Sequence, residues 1–161
     1  MLSMRLSHNA KGFSLIEVIV VMVILAIISA LAAPSFSEWI EKYRVKSASR
    51  QLVTDLQLMK MKSISDKVQH RIRFINASNQ YMLERYDASA PAWVQFDIVR
   101  DIASSTNPYF AKGVSFTQGL NGNNITFSPS GSANPFGTVI FTTGDQTRNV
   151  VVSMTGRIRI E

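Results

Sequence analysis

Cysteine is absent from the 161 residues, which removes disulfides, thiol catalysis and cysteine-ligated metals together. Any extracytoplasmic domain of this chain must hold together by packing alone, although the absence does not fix the compartment. Histidine is nearly as scarce: only His8 and His70 occur, too few for a histidine metal cluster or a Ser-His-Asp arrangement. No glycine-rich phosphate loop precedes a helix. Asp97 and Asp101 stand four apart and could share a helix face, but read better as loop or surface carboxylates. These absences predict no enzyme, no catalytic residue, no cofactor, no metal and no small-molecule substrate.

Charge is missing in one place above all. Residues 18–33 contain no ionisable side chain, and between residues 13 and 37 the only one is Glu17. A lone carboxylate costs roughly 2.5–3.5 kcal/mol at mid-bilayer, so in a membrane helix it calls for a partner or a function. Ahead of this run, MLSMRLSHNAKG is short and basic, with Arg5, His8 and Lys11, and the positive-inside rule keeps that end cytoplasmic. Met1 and Met4 both serve as possible starts. A secretory signal peptide is an alternative, because Ala30-Leu31-Ala32 fits a small-x-small cleavage pattern. Against it stand Glu17 within the apolar region, Pro34 just after it, and a helical pattern that continues past the supposed cut.

The formal charge is +6 and the pI about 9.9. Arg5 and Lys11 precede Phe13, so a chain beginning there keeps 15 basic against 11 acidic residues, a net charge of about +4. That excess sets a direction towards nucleic acid or anionic surfaces and proves neither.

Beyond Pro34 the helical period resumes, with Val45, Ala48, Leu52, Leu56, Met59 and Ser63 on one face and Lys46, Arg50, Gln57 and Lys60 elsewhere. A helix over residues 13–65 is roughly 80 Å long at 1.5 Å per residue, more than a small domain can cover. Pro34 lacks an amide hydrogen and crowds the carbonyl of Ala30, which predicts a kink or local opening. After Ser65 the period becomes alternating. Residues 71–75 and 81–86 flank Asn76-Ala77-Ser78-Asn79 as a strand pair, and residues 93–99 form a plausible third strand. Glycines then divide short β runs at 114–117, 124–128, 138–142, 149–154 and 157–160, with Asn121-Gly122 and Gly144-Asp145 as turns.

Gly12-Phe13-Ser14-Leu15-Ile16-Glu17, behind a basic leader and ahead of an apolar run, resembles the processing site of type IV pilins and type II secretion pseudopilins. The resemblance implies that prepilin peptidase cuts between Gly12 and Phe13 and methylates the new amine. It also implies that Glu17 pairs with the N-terminal amine of a neighbouring subunit as the chain moves from inner membrane to filament. At an effective dielectric near 20, opposite charges 4 Å apart attract by about 4 kcal/mol before desolvation. The alternative for Glu17 is an interfacial carboxylate that snorkels to headgroups.

The C-terminal runs Phe127-Ser128-Pro129-Ser130-Gly131, Gly137-Thr138-Val139-Ile140-Phe141 and Val150-Val151-Val152-Ser153, followed by Thr155-Gly156-Arg157-Ile158-Arg159, are similar to the GspH/FimT family of minor pilins and pseudopilins. Residues 66–120 carry no motif of it. The implied fold is α+β: a long N-terminal helix packed on a head of two antiparallel β-sheets. The implied division is a leader at 1–12, a transmembrane and filament-core helix at 13–42, and an amphipathic helix half with a β-rich periplasmic head at 43–161.

FimT-like members are associated with DNA binding in natural transformation through Gly-Arg-x-Arg, here Gly156-Arg157-Ile158-Arg159. On a strand, residues two apart share a face, so the two arginine stems start roughly 6.6 Å apart, on the scale of neighbouring phosphates. Ile158 and Ile160 are expected to face the core, and Gly156 to permit the turn. The plainer reading is an edge strand charged to block aggregation. Arg71 and Arg73 repeat the spacing, with Arg148 on another strand; together these form a groove if they converge and solvated charges if they do not. Phe136 could add a stacking surface or anchor its loop. A DNA-binding minor pilin, a structural pseudopilin of a type II secretion tip moving folded proteins, and a minor pilin that only primes assembly all remain open.

Overall fold

The computed structural model describes residues 12–161, without the side chains of residues 31–35. Residues 1–11 of the predicted leader lie outside the described residues, and at Pro34, where a kink or local opening was expected, the helix assignment continues without a break. The fold opens on one helix, α1, Leu15–Asp66. Ser14 caps it: the Glu17 amide donates to Ser14 Oγ at 3.2 Å, so Ser-x-x-Glu supplies an N-terminal capping pattern. The helix ends at Lys67, which adopts a left-handed conformation with φ 57°.

The chain divides into a unit ending at Glu38 and a unit Trp39–Glu161. In the first, residues 13–28 expose a nearly continuous series of large apolar side chains, with Phe13 81% and Leu15 79% accessible. A face of that extent marks an interaction surface for protein or lipid. Among the described residues, no helix is long and apolar enough to cross a membrane.

The second unit has its own core. Its strands are β1 His70–Ile75, β2 Gln80–Asp87, β3 Ala92–Gln95, β4 Arg100–Asp101, β5 Ser115–Leu120, β6 Asn124–Phe127, β7 Gly137–Thr143, β8 Gln146–Val152 and β9 Ile158–Ile160. One antiparallel sheet runs β3-β2-β1-β6, with β4 also on β2; the other runs β5-β7-β8-β9. Alternation explains what each strand buries: Ile72 and Phe74 in β1, Val139 and Phe141 in β7, Val150 and Val152 in β8. Val45, Leu52, Leu56 and Met59 of α1 join them in one apolar cluster, so the amphipathic half of the helix closes the head.

The expected third strand at 93–99 is instead β3 followed, after a break, by β4. Asp97 interrupts it, because its carboxylate accepts from the amide of Ile98 and from Arg100. Lys60, expected away from the packed face, donates from Nζ to the Gly156 carbonyl at 2.9 Å.

Candidate filament and nucleic-acid interfaces

At the N-terminal end, Phe13, Glu17, Val18, Val21, Met22 and Leu25 line a shallow groove of about 320 Å³, in which Glu17 is the one charged residue. The side chain of Glu17 is exposed and has no ion-pair partner among the described residues. A carboxylate in a wall of hydrocarbon is complementary to an amine brought in by another molecule, not to anything on its own face.

The five arginines singled out in sequence go to three different places. Arg71 and Arg73 stand side by side on β1 and both grip Glu84 of β2, through Nε at 2.5 Å and 3.0 Å. Glu84 is only 7% exposed, and Arg71 also lies over the Trp93 ring at 4.0 Å. This buried carboxylate interrupts the alternation of β2 and neutralises much of the pair's charge, so these two arginines are ordered sheet residues and not solvated cations.

Arg148 is on β8, in register with Phe141 and on the same side of the strand as Val150 and Val152, but at the open end of the sheet, where it is exposed. Arg159 pairs with Val151 and therefore belongs to the opposite face. No groove unites Arg148 with Arg159.

The Gly156-Arg157-Ile158-Arg159 segment forms a tight turn and the outermost strand of its sheet. Gly156 has φ 70°, and a Cβ there would collide with the Gly131 carbonyl oxygen, so the turn needs glycine twice over. Ser153 and Arg157 close it, with the Ser153 amide donating to the Arg157 carbonyl at 3.0 Å. Arg157 precedes β9 instead of opening it, and its exposed side chain has no ion-pair partner among the described residues. Arg159 makes an open contact with Glu161 at 3.3 Å, each side chain 53% exposed. Ile158 packs on the core as expected, whereas Ile160, opposite Val150, is 36% exposed, because β9 is the edge strand and no described residue pairs with its outer side. Phe136 is 52% exposed, which does not suit a loop anchor.

The buried polar centre of the head escaped the sequence reading. Tyr81 donates to Asp55 at 2.8 Å, Arg100 reaches Asp55 from Nε at 3.2 Å and Asp97 from a terminal nitrogen at 2.7 Å, and its guanidinium covers the Tyr109 ring. Burial, reinforced by the Asp55 charge, pushes the Tyr81 hydroxyl well above its ordinary value. The hydrogen bond from Arg100 holds Asp97 below the ordinary carboxylate value. Asp55 sits among Leu52, Leu56 and Met59, and a carboxylate so close to an apolar stripe was the available signal.

Residues 7–33 match the prokaryotic N-terminal methylation motif. Residues 48–156 match the model described as type II transport protein GspH, which takes in the helix half and nearly the whole head. The chain belongs to the GspH family. This GspH-family chain is a type IV pilin-like minor pilin or pseudopilin, and that membership implies processing by prepilin peptidase and association with other pilins in a filament. Its fold is shared with the minor pseudopilin EpsH of the Vibrio cholerae type 2 secretion system. That match has a TM-score of 0.60 at 12% identity and covers 73% of this chain and 96% of EpsH. It is shared equally with the type IV minor pilin FimU of Pseudomonas aeruginosa, with a TM-score of 0.60 at 17% identity, covering 76% of this chain and 92% of FimU. No curated protein matches the GspH-family chain closely in sequence.

Proposed function

We propose that this chain is a minor pilin of a type IV pilus that holds DNA by its phosphates during uptake, with Arg157 and Arg159 as the contacting residues. Before assembly it sits in the inner membrane on its apolar helix half, N-terminus cytoplasmic and head periplasmic; afterwards Glu17 meets the amine of a neighbouring subunit.

The observation that carries the DNA reading is the contrast among the arginines. Arg71 and Arg73 spend their charge on a buried glutamate, whereas among the described residues Arg157 is exposed without an acid partner and Arg159 is held only by an open contact. Two guanidinium groups near one sheet edge suit two successive phosphates. Gly156 supports them by fixing the turn, while Arg148 lies on the other face and Arg71 and Arg73 are structural.

The test is a fluorescence-anisotropy titration of residues 39–161, which enclose a complete core, against DNA across a salt series. Binding that weakens steeply with salt and varies little with sequence supports the reading. Absence of binding even at low salt favours the second reading, a structural pseudopilin of a type II secretion tip, with which the EpsH-like fold agrees equally well.

A further inference from the structure

Beside the first turns of the helix half in the Trp39–Glu161 unit there is an open cleft of about 590 Å³, lined by Trp39, Lys42, Tyr43, Lys46, Arg148 and Glu161 among others. We infer that this cleft receives the phosphodiester headgroup of an anionic phospholipid. The inference rests on the reading that the apolar half of the helix is held in a bilayer before assembly.

Three features of the cleft carry it. The first is charge. Lys46 of α1 and Arg148 of β8 carry the charge from two elements, with Lys42 also on the lining, while Glu161, the one acid among the described lining residues, also contacts Arg159. Cations next to an anionic leaflet gain on the order of 1 kcal/mol each, and a phosphodiester is their natural counter-charge.

The second is aromatic. Trp39 and Tyr43 are stacked on each other with ring centroids 5.9 Å apart and remain 60% and 62% exposed. Large amphipathic rings left outside a head that has buried eighteen other apolar residues suit the headgroup level, where an apolar body and a polar tip are both satisfied. Their mutual stacking occupies one face of each ring, which disfavours the alternative occupant, a nucleic-acid base inserted between them.

The third is connectivity. Trp39 follows the run over residues 13–37, whose only ionisable side chain is Glu17, by two positions. Where that run ends at a bilayer surface, residues 38–46 are the next out; they hold Trp39 and Tyr43, with Lys42, Arg44 and Lys46 against Glu38 and Glu41. A volume of about 590 Å³ falls within the roughly 300–1,000 Å³ range of small-ligand sites and suits a headgroup.

The experiment uses the full chain in lipid nanodiscs, of phosphatidylcholine alone or with phosphatidylglycerol, and follows backbone hydrogen exchange. With phosphatidylglycerol, the amides of Gln146, Thr147 and Arg148 are expected to exchange about tenfold more slowly than with phosphatidylcholine. The combined variant Lys42→Gln, Lys46→Gln and Arg148→Gln should abolish that difference, and the arginine variant Lys42→Arg with Lys46→Arg should retain it. Equal exchange in the two discs overturns the inference. So does equal protection by millimolar inorganic phosphate in phosphatidylcholine discs, which would make the site a free-anion site, or protection by a single-stranded oligonucleotide alone. Co-purification with the discs separates the two levels: a chain that never enters them overturns the membrane reading and this inference with it, whereas one that enters and shows no lipid dependence overturns only the headgroup site.

Discussion

Arg100 donates from Nε to Asp55 Oδ2 at 3.2 Å, and the two side chains are only 3% and 4% exposed. The contact ties β4 to the C-terminal part of α1, across 45 residues of sequence. Removing one partner strands the other charge in the core, so Arg100→Leu should cost about 3–5 kcal/mol. Replacing both, as Asp55→Leu with Arg100→Leu, should cost clearly less than the single change. Urea unfolding of residues 39–161 by circular dichroism measures both.

The same centre contributes to the pH dependence of the head at both ends. Arg100 lowers Asp97 from its ordinary value of 3.8, so the contribution of Asp97 is complete above that pH and lost as pH falls through its depressed folded value. Asp97→Asn should therefore flatten the acid limb of the stability profile while leaving the alkaline limb unchanged.

Tyr81 behaves in the opposite sense. Burial raises its hydroxyl above 10.0, so its contribution is complete below pH 10 and lost as pH rises towards the folded value, because only the unfolded chain ionises there. Tyr81→Phe should cost about 1–3 kcal/mol at neutral pH, since Asp55 loses a donor, and should lessen the fall in stability above pH 10. Denaturant midpoints between pH 9 and 11 separate the two effects.

Gly156 adopts a left-handed conformation against the Gly131 carbonyl. Gly156→Ala should cost about 2 kcal/mol or more and displace the Arg157 turn, lowering the melting temperature of the head. Gly122→Ala, where nothing stands within 4 Å, is strained only by its φ of 104° and should cost less.

The arginine contrast gives a paired prediction for DNA. Arg157→Gln with Arg159→Gln should preserve the melting temperature and reduce the slope of log affinity against log salt by roughly 2 on duplex DNA. Arg71→Gln with Arg73→Gln should leave that slope unchanged and destabilise the head, because Glu84 is then buried without its partners.

The legible parts of this chain were those governed by local periodicity. The stripe from Val45 to Ser63 and the alternation of β1, β2, β7 and β8 carry their burial in their spacing, so the helix on two antiparallel sheets was readable. The Ser14-x-x-Glu17 cap was also within reach, and was overshadowed by the charge of Glu17. Partnerships were not legible. Arg71 and Arg73 look free until the register places Glu84 opposite Arg71, and Arg100 looks like any loop arginine until the fold returns it to Asp55. Both depend on contacts between residues far apart in sequence, which spacing does not encode. Ile160 shows the same limit, since alternation predicted its side of the strand but not that, among the described residues, β9 is the edge of its sheet.

The central claim is that Phe13 and Glu17 bring the chain into a filament. The direct measurement is the N-terminal sequence and amount of this protein in sheared, purified filaments, for the natural chain and for Glu17→Ala. The account predicts a product beginning at methylated Phe13, and a Glu17→Ala chain that is still cut but is depleted from the filaments and retained in the membrane. A mature chain beginning elsewhere, for instance after residue 33, or equal incorporation of Glu17→Ala, would contradict it.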